Sequence, residues 1–115
     1  MESCGEIMEV KEDVFVAIAD KSRRHILQLL KNNRELALHE MLIHFEISRT
    51  AVSKHLAILK AAGLIDSRKV GRETRYRLNA MPLKEVNQWL GLYEDLWNKR
   101  LTKLADILEK RQEET

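Results

Sequence analysis

Between His39 and Leu56 two sets of chemically capable side chains lie end to end. The stretch HEMLIH places His39, Glu40 and His44 close to the pattern of a zinc hydrolase, in which two histidines chelate the metal and a glutamate activates water. The stretch SRTAVSKH supplies Ser48, Arg49, Thr50, Ser53, Lys54 and His55, the side-chain types that contact nucleic acid. Arginine can donate to guanine, serine and threonine to several bases, and lysine to phosphate.

Spacing decides between the two chemistries. A zinc motif needs histidines four apart, whereas residues five apart on a helix, like His39 and His44, are rotated by about 140° and cannot chelate one ion. Leu38, Met41, Leu42 and Phe45 also form an apolar stripe that claims the inward face and turns His39 and Glu40 outward. No metal site and no cofactor are expected. The second set passes the same test. With Val52, Leu56 and Leu59 buried, a rotation of about 100° per residue brings Thr50, Ser53, Lys54 and Ala57 to the opposite face, with Arg49 at its edge. That face is polar, basic and small enough to enter a major groove. His55 lies nearer the apolar side, where it bonds a phosphate or the backbone, or serves as a partly buried structural histidine.

The elements that must hold these side chains are mostly helical, since the 115 residues include one proline and four glycines. Val10, Val14, Ala17 and Ile18 fit a first helix with an acidic start. Asp20 or Ser22 can cap a second, carrying Ile26, Leu27 and Leu30 and ending near Asn32-Asn33. The Leu38–Phe45 stripe predicts a short third helix, and Glu46 and Ile47 a turn. Ser48 is suited to cap a fourth helix that Gly63 closes. The period then changes: Thr74, Tyr76 and Leu78 alternate with Arg75 and Arg77, predicting a hairpin with one apolar and one basic face and its tip at Gly71. Arg68, Lys69, Arg72, Arg75 and Arg77 place cations on or near this ribbon, suited to phosphates or a minor groove, with some paired to Asp66 or Glu73.

From Pro82 the pattern is helical almost to the end, a fifth helix of about 30 residues and about 45 Å. A head of this size cannot cover such a length. Trp89, Leu90, Tyr93, Trp97, Leu101, Leu104 and Leu108 are therefore expected to pack partly on a second copy. A ligand pocket made by the same aromatics is the lesser alternative.

Composition narrows the classes further. A 44% apolar and 33% charged chain is ordinary for one globular domain, and no apolar run is long enough for a membrane span or secretion signal, so a cytoplasmic protein is expected. The single Cys4 excludes an intrachain disulfide, although two copies could meet across a dimer. Net charge is only +2, but it is segregated: residues 1–20 carry −5 and residues 47–80 carry +6. The basic segment coincides with the predicted fourth helix and hairpin, a footprint for a polyanion.

The adjacency of these parts resembles the ArsR/SmtB winged-helix repressors of bacteria. VFVAIADKSRRHILQLL is similar to that family's opening helix pair, with Lys21 where its pattern has proline. ISRTAVSKHLAILKAAGLI is similar to its recognition helix, and RKVGRETRYRLN to its wing. The resemblance implies a mainly α fold with a small β-hairpin wing: a winged helix-turn-helix of five helices with a long C-terminal dimerisation helix. It would be one domain over 1–115, with a DNA-binding head at 10–80 and a dimerisation helix at 82–112 acting together with 10–19, Val14 included. It also implies a homodimeric repressor on a pseudo-palindromic double-stranded operator. Many members release DNA on binding metal through a Cys-x-Cys at the third helix or Asp/His ligands on the last. Here LALHEM has no cysteine and no histidine follows His55. The chain thus looks most like the branch without a metal site, including Sdp-type autorepressors, whose signal is a partner protein, a small molecule or nothing. Two rivals remain open to test: a helical protein-interaction module on the same fold, and a metal-dependent hydrolase on His39, Glu40 and His44.

Overall fold

The computed structural model describes residues 13–114. Val10, Cys4 and the acidic N-terminal segment lie outside the described residues. Asp13 opens α1 (Val14–Ala17) by accepting the Phe15 N–H at 2.8 Å. A helix of four residues is far below the length that holds by itself. The next helix secures it: Arg23 donates from Nε to the Ala17 carbonyl and Arg24 from Nη1 to the Ile18 carbonyl, each at 2.7 Å. The paired arginines therefore satisfy carbonyls that α1 leaves open.

Asp20 caps that helix, α2 (Lys21–Asn32), by accepting the Arg23 N–H, and Ile26, Leu27 and Leu30 are buried as their spacing predicts. A strand that the sequence pattern did not show follows. Leu36–Ala37, β1, pairs antiparallel with the later wing, Leu36 opposite Tyr76 and Ala37 opposite Arg75. The third helix, α3 (Leu38–Leu42), is shorter than its stripe. Met41 is buried, while Phe45 lies beyond the helix end with its ring centroid 4.7 Å from that of His25.

Ser48 Oγ accepts the Ala51 N–H at 3.1 Å and starts α4 (Arg49–Ala61). Val52, Leu56 and Leu59 fix its inner face. Gly63, at φ +77°, ends it in a Schellman motif, its N–H bonded to the Lys60 carbonyl and that of Leu64 to the Leu59 carbonyl. Replacing Ser48 by Ala leaves a helix-end N–H without its acceptor. A loss of about 1 kcal/mol is expected in urea unfolding, and an unchanged midpoint would show the cap to be idle.

Strands β2 (Ile65–Val70) and β3 (Glu73–Leu78) form the hairpin, giving a sheet in the order β1-β3-β2. Gly71 at φ +66°, in the first position of the two-residue turn, has the positive φ that a type II′ connection requires. Met41, Val52, Leu59, Leu64 and Ile65 fill the core between sheet and helices. Val14, expected at a dimer surface, is instead part of that core at 4% exposed, and its neighbour Val16 is the exposed one. The short α1 turns Val14 and Ala17 inward together.

The chain forms two compact units, one through Lys84 and one from Glu85. The single helix expected over 82–112 is two, α5 (Leu83–Gly91) and α6 (Glu94–Glu114). The break follows Gly91, a poor helix former, and the N–H groups of Leu92 and Tyr93 bond back three residues to Trp89 and Leu90 in a tighter turn. Trp97, Leu101, Leu104 and Leu108 are all exposed along α6 at steps of four, three and four. No helix among the described residues is long and apolar enough to cross a membrane.

Candidate nucleic-acid interface

The inner face of α4 determines what its outer face shows. Because Val52, Leu56 and Leu59 are buried, Arg49, Thr50, Ser53, Lys54 and Ala57 are all exposed on the other side. Among the described residues, Arg49 and Lys54 have no hydrogen bond or ion pair, so their charges are available to an outside anion. His55 is placed otherwise. Its side chain is 20% exposed, Nδ1 lies 3.3 Å from Arg23 Nη1 and Nε2 lies 3.9 Å from Asp20 Oδ2. A guanidinium can only donate, so Nδ1 accepts and the ring proton sits on Nε2, facing Asp20. The structure ties His55 into the α1–α2–α4 junction.

The hairpin divides its cations by face. Ser67, Lys69, Thr74 and Tyr76 lie on the side toward α4 and line a cleft of about 440 Å³ with Ser53, Leu56, Ala57 and Lys60, to which Arg68 also contributes between Ser67 and Lys69. Lys60 spans this cleft, donating from Nζ to Ser67 Oγ at 2.7 Å. At the tip side, Arg49 and Arg72 line a second cleft of about 310 Å³ together with His39, Glu73, Thr74 and Tyr76. Lys69 and Arg72, like Arg49, have no partner among the described residues.

The opposite face holds the arginines that the alternation marks as basic, and carboxylates occupy them. Arg68 makes a forked contact to Glu35, Nε to Oε2 at 2.6 Å and Nη2 to Oε1 at 3.1 Å. Arg75 donates to Glu73 at 2.7 Å, to Glu35 at 3.2 Å and to Glu40 at 3.3 Å. Arg77 stands 3.9 Å from Asp66, the pairing anticipated for some wing cations. The five hairpin cations are therefore not one set: Lys69 and Arg72 are open, while Arg68 and Arg75 are paired to carboxylates of the chain itself. The sequence did not show Glu35 and Glu40 as partners of the wing arginines, because those arginines are some 33 to 40 residues away.

These contacts displace proton equilibria. Hydrogen bonding from Arg68, reinforced by the charges of Arg68 and Arg75, holds the Glu35 carboxyl below its ordinary value. The Ala37 N–H, with Arg75, does the same for Glu40, and the Arg23 N–H does so for Asp20. Arg68 and Arg75 shift upward correspondingly. A carboxyl depressed on folding stabilises the protein above its unfolded value, and that contribution disappears as pH falls through the folded value. Thermal stability should thus be flat near neutrality and decline below about pH 4. A melting temperature that rises on acidification would contradict these pairings.

The zinc-like stretch does not assemble. His44 lies beyond the end of α3, and His39 Nδ1 faces Glu73 Oε1 at 3.7 Å. No group of three or more His, Cys, Asp or Glu able to hold a metal occurs among the described residues.

Residues 20–67, which carry α2 through the first residues of β2, match the family described as bacterial regulatory protein, arsR family. The chain is also 38% identical over 78 residues to the transcriptional repressor SdpR of Bacillus subtilis, an alignment covering 68% of this chain and 86% of that protein. It belongs to the ArsR family. A second relative, the HTH-type transcriptional regulator Rv2034 of Mycobacterium tuberculosis, is 32% identical over 86% of this chain and 89% of its own. Among solved structures, an ArsR-like transcriptional regulator from Rhodococcus sp. RHA1 superposes with a TM-score of 0.66 at 34% identity, covering 93% of this chain and 96% of that one. The fold is the winged helix-turn-helix of ArsR regulators, with six helices among the described residues where the sequence suggested five. As an ArsR-family member the chain is a DNA-binding transcriptional regulator, and its relatives are regulators rather than enzymes.

Proposed function

We propose that this ArsR-family chain is a homodimeric repressor that places the outer face of α4 in the major groove of a pseudo-palindromic operator. Arg49, Thr50 and Ser53 meet base edges, Lys54 meets phosphate, and Lys69 and Arg72 hold the adjoining backbone. One observation carries this reading: on the outer face of α4 and the hairpin beside it, Arg49, Lys54, Lys69 and Arg72 have no internal partner among the described residues, and Arg49, Lys69 and Arg72 line the clefts between helix and hairpin. Arg68 and Arg75 are not among the contacts, because Glu35, Glu40 and Glu73 occupy them.

The second copy is supported by α6. Trp97 and Leu104 are both more than half exposed in the single chain, on one stripe with Leu101 and Leu108. An uncovered apolar stripe of that length marks an interface between helices. Two recognition helices in such a dimer would stand about 34 Å apart, one turn of DNA. The protein works in the cytoplasm, without a metal or cofactor, and answers to a protein or small-molecule signal if it answers to one.

Binding of the full chain to DNA from upstream of its own gene tests the reading. The expected result is a preference of about a thousandfold or more over a scrambled duplex at physiological salt. A helical protein-interaction module on the same fold would show no preference. The hydrolase alternative would require stoichiometric zinc to remain with the purified protein.

A further inference from the structure

One carboxylate at the root of the wing touches both of its long strands. Glu35 immediately precedes β1, and it accepts from Arg68 on β2 and from Arg75 on β3. Those two arginines face each other directly across the β2–β3 ladder. Like charges in that relation repel and would spread the ribbon. With Glu35 bonded to both, the repulsion becomes a bridge that joins the hairpin to the segment leading into α3.

Other contacts hold the strands farther along, Lys60 on α4 to Ser67 and Arg75 to Glu40 on α3, but none of them joins the two facing arginines. β1 contributes only two residues to the sheet, and the tip at Gly71-Arg72 extends beyond them. Arg75 keeps Glu40 and Glu73 if Glu35 is removed, whereas Glu35 is the only residue to which Arg68 is ion-paired among the described residues. We propose that Glu35 is a positioning residue for DNA recognition: through Arg68 and Arg75 it sets the angle of the wing, and so places Lys69 and Arg72 beside the reading face of α4. The proposal rests on the reading of α4 and the wing as the DNA surface.

Long-range electrostatics and positioning make opposite forecasts. Removing a carboxylate from a DNA-facing protein adds positive charge and by itself tightens binding to a polyanion. If Glu35 positions the wing, Glu35→Gln weakens binding instead. The test uses the full-length chain and its promoter fragment, with fluorescence anisotropy over a salt series, for wild type, Glu35→Gln, Arg68→Gln and the double variant. Circular dichroism melts accompany each.

Each single variant is expected to bind about fivefold more weakly, and the double no more weakly than either, because both remove the same bridge. The slope of log affinity against log salt should stay at the wild-type value, since no phosphate contact is lost. Tighter binding and a steeper slope in Glu35→Gln would overturn the proposal, making Glu35 a counter-ion that withholds two arginines from DNA. A slope reduced by about one in Arg68→Gln would overturn it as well, making Arg68 a phosphate contact. Should Glu35→Gln not fold, Arg68→Gln alone decides by these criteria, its side chain being 61% exposed. Failure of the DNA-surface reading is recognised separately, as a wild-type chain without preference for the promoter.

Discussion

Leu104→Glu, alone or with Leu101→Glu, is expected to leave the head folded while eliminating operator binding at protein concentrations that saturate it with wild type. Neither leucine belongs to the core made by Met41, Val52, Leu59, Leu64 and Ile65, so the winged-helix unit loses nothing that holds it together. Both stand exposed on α6 in line with Trp97 and Leu108, and in the proposed dimer a second copy covers them. Each glutamate would have to be buried uncompensated in that interface, a cost large enough to separate the copies. A separated copy grips one half-site without the effective concentration that its partner supplies, which lowers affinity by about a hundredfold to ten-thousandfold. Sedimentation equilibrium and anisotropy on the promoter fragment read the two effects together. A variant that stays dimeric, or a wild type that sediments as a monomer, would remove α6 from the interface.

Arg49→Ala and Arg72→Ala should both weaken DNA binding, in different ways. Arg49 leads α4, has no internal partner among the described residues, and in the proposed complex would meet base edges from the first turn of that helix. Its loss should cost about 1–3 kcal/mol on the operator and less on random DNA, so that discrimination narrows. Arg72 occupies the wing tip, where a backbone contact carries no sequence information. Its loss should weaken all sequences alike and reduce the salt slope by about one. Arg75→Ala is the internal contrast. Its guanidinium is committed to Glu73, Glu35 and Glu40, so it should lower thermal stability and leave the salt slope alone. Equal slopes for wild type and Arg72→Ala would place the wing tip off the DNA.

What could be seen in the sequence was what depends on local period and capping. The α4 helix was legible from Ser48 to Gly63 because both ends are fixed by nearest-neighbour chemistry and Val52, Leu56 and Leu59 mark its buried side. The hairpin tip was legible because few residues other than glycine tolerate the φ at Gly71. β1 was not, since two residues carry no period. The break after Gly91 was not, because the apolar steps from Trp89 through Trp97 continue across it without interruption.

Among the site residues, the outer face of α4 followed from rotation about a helix. The fate of the wing arginines did not, because it depends on Glu35 and Glu40, which only the tertiary fold brings to them. His55 was ambiguous for the same reason: Arg23, which anchors it, is 32 residues away. Charge counting located the basic surface, and the folded structure distinguishes cations that are open from cations that hold the wing in place.

Selection of bound fragments from genomic DNA, with the full chain at physiological salt, tests the central claim most directly. The expected outcome is a small set of enriched fragments sharing two inverted half-sites about one helical turn apart, the upstream region of its own gene among them. Fragments recovered without a shared sequence, in proportion to their length alone, would contradict sequence reading by α4 and leave only a basic surface on a regulator-like fold.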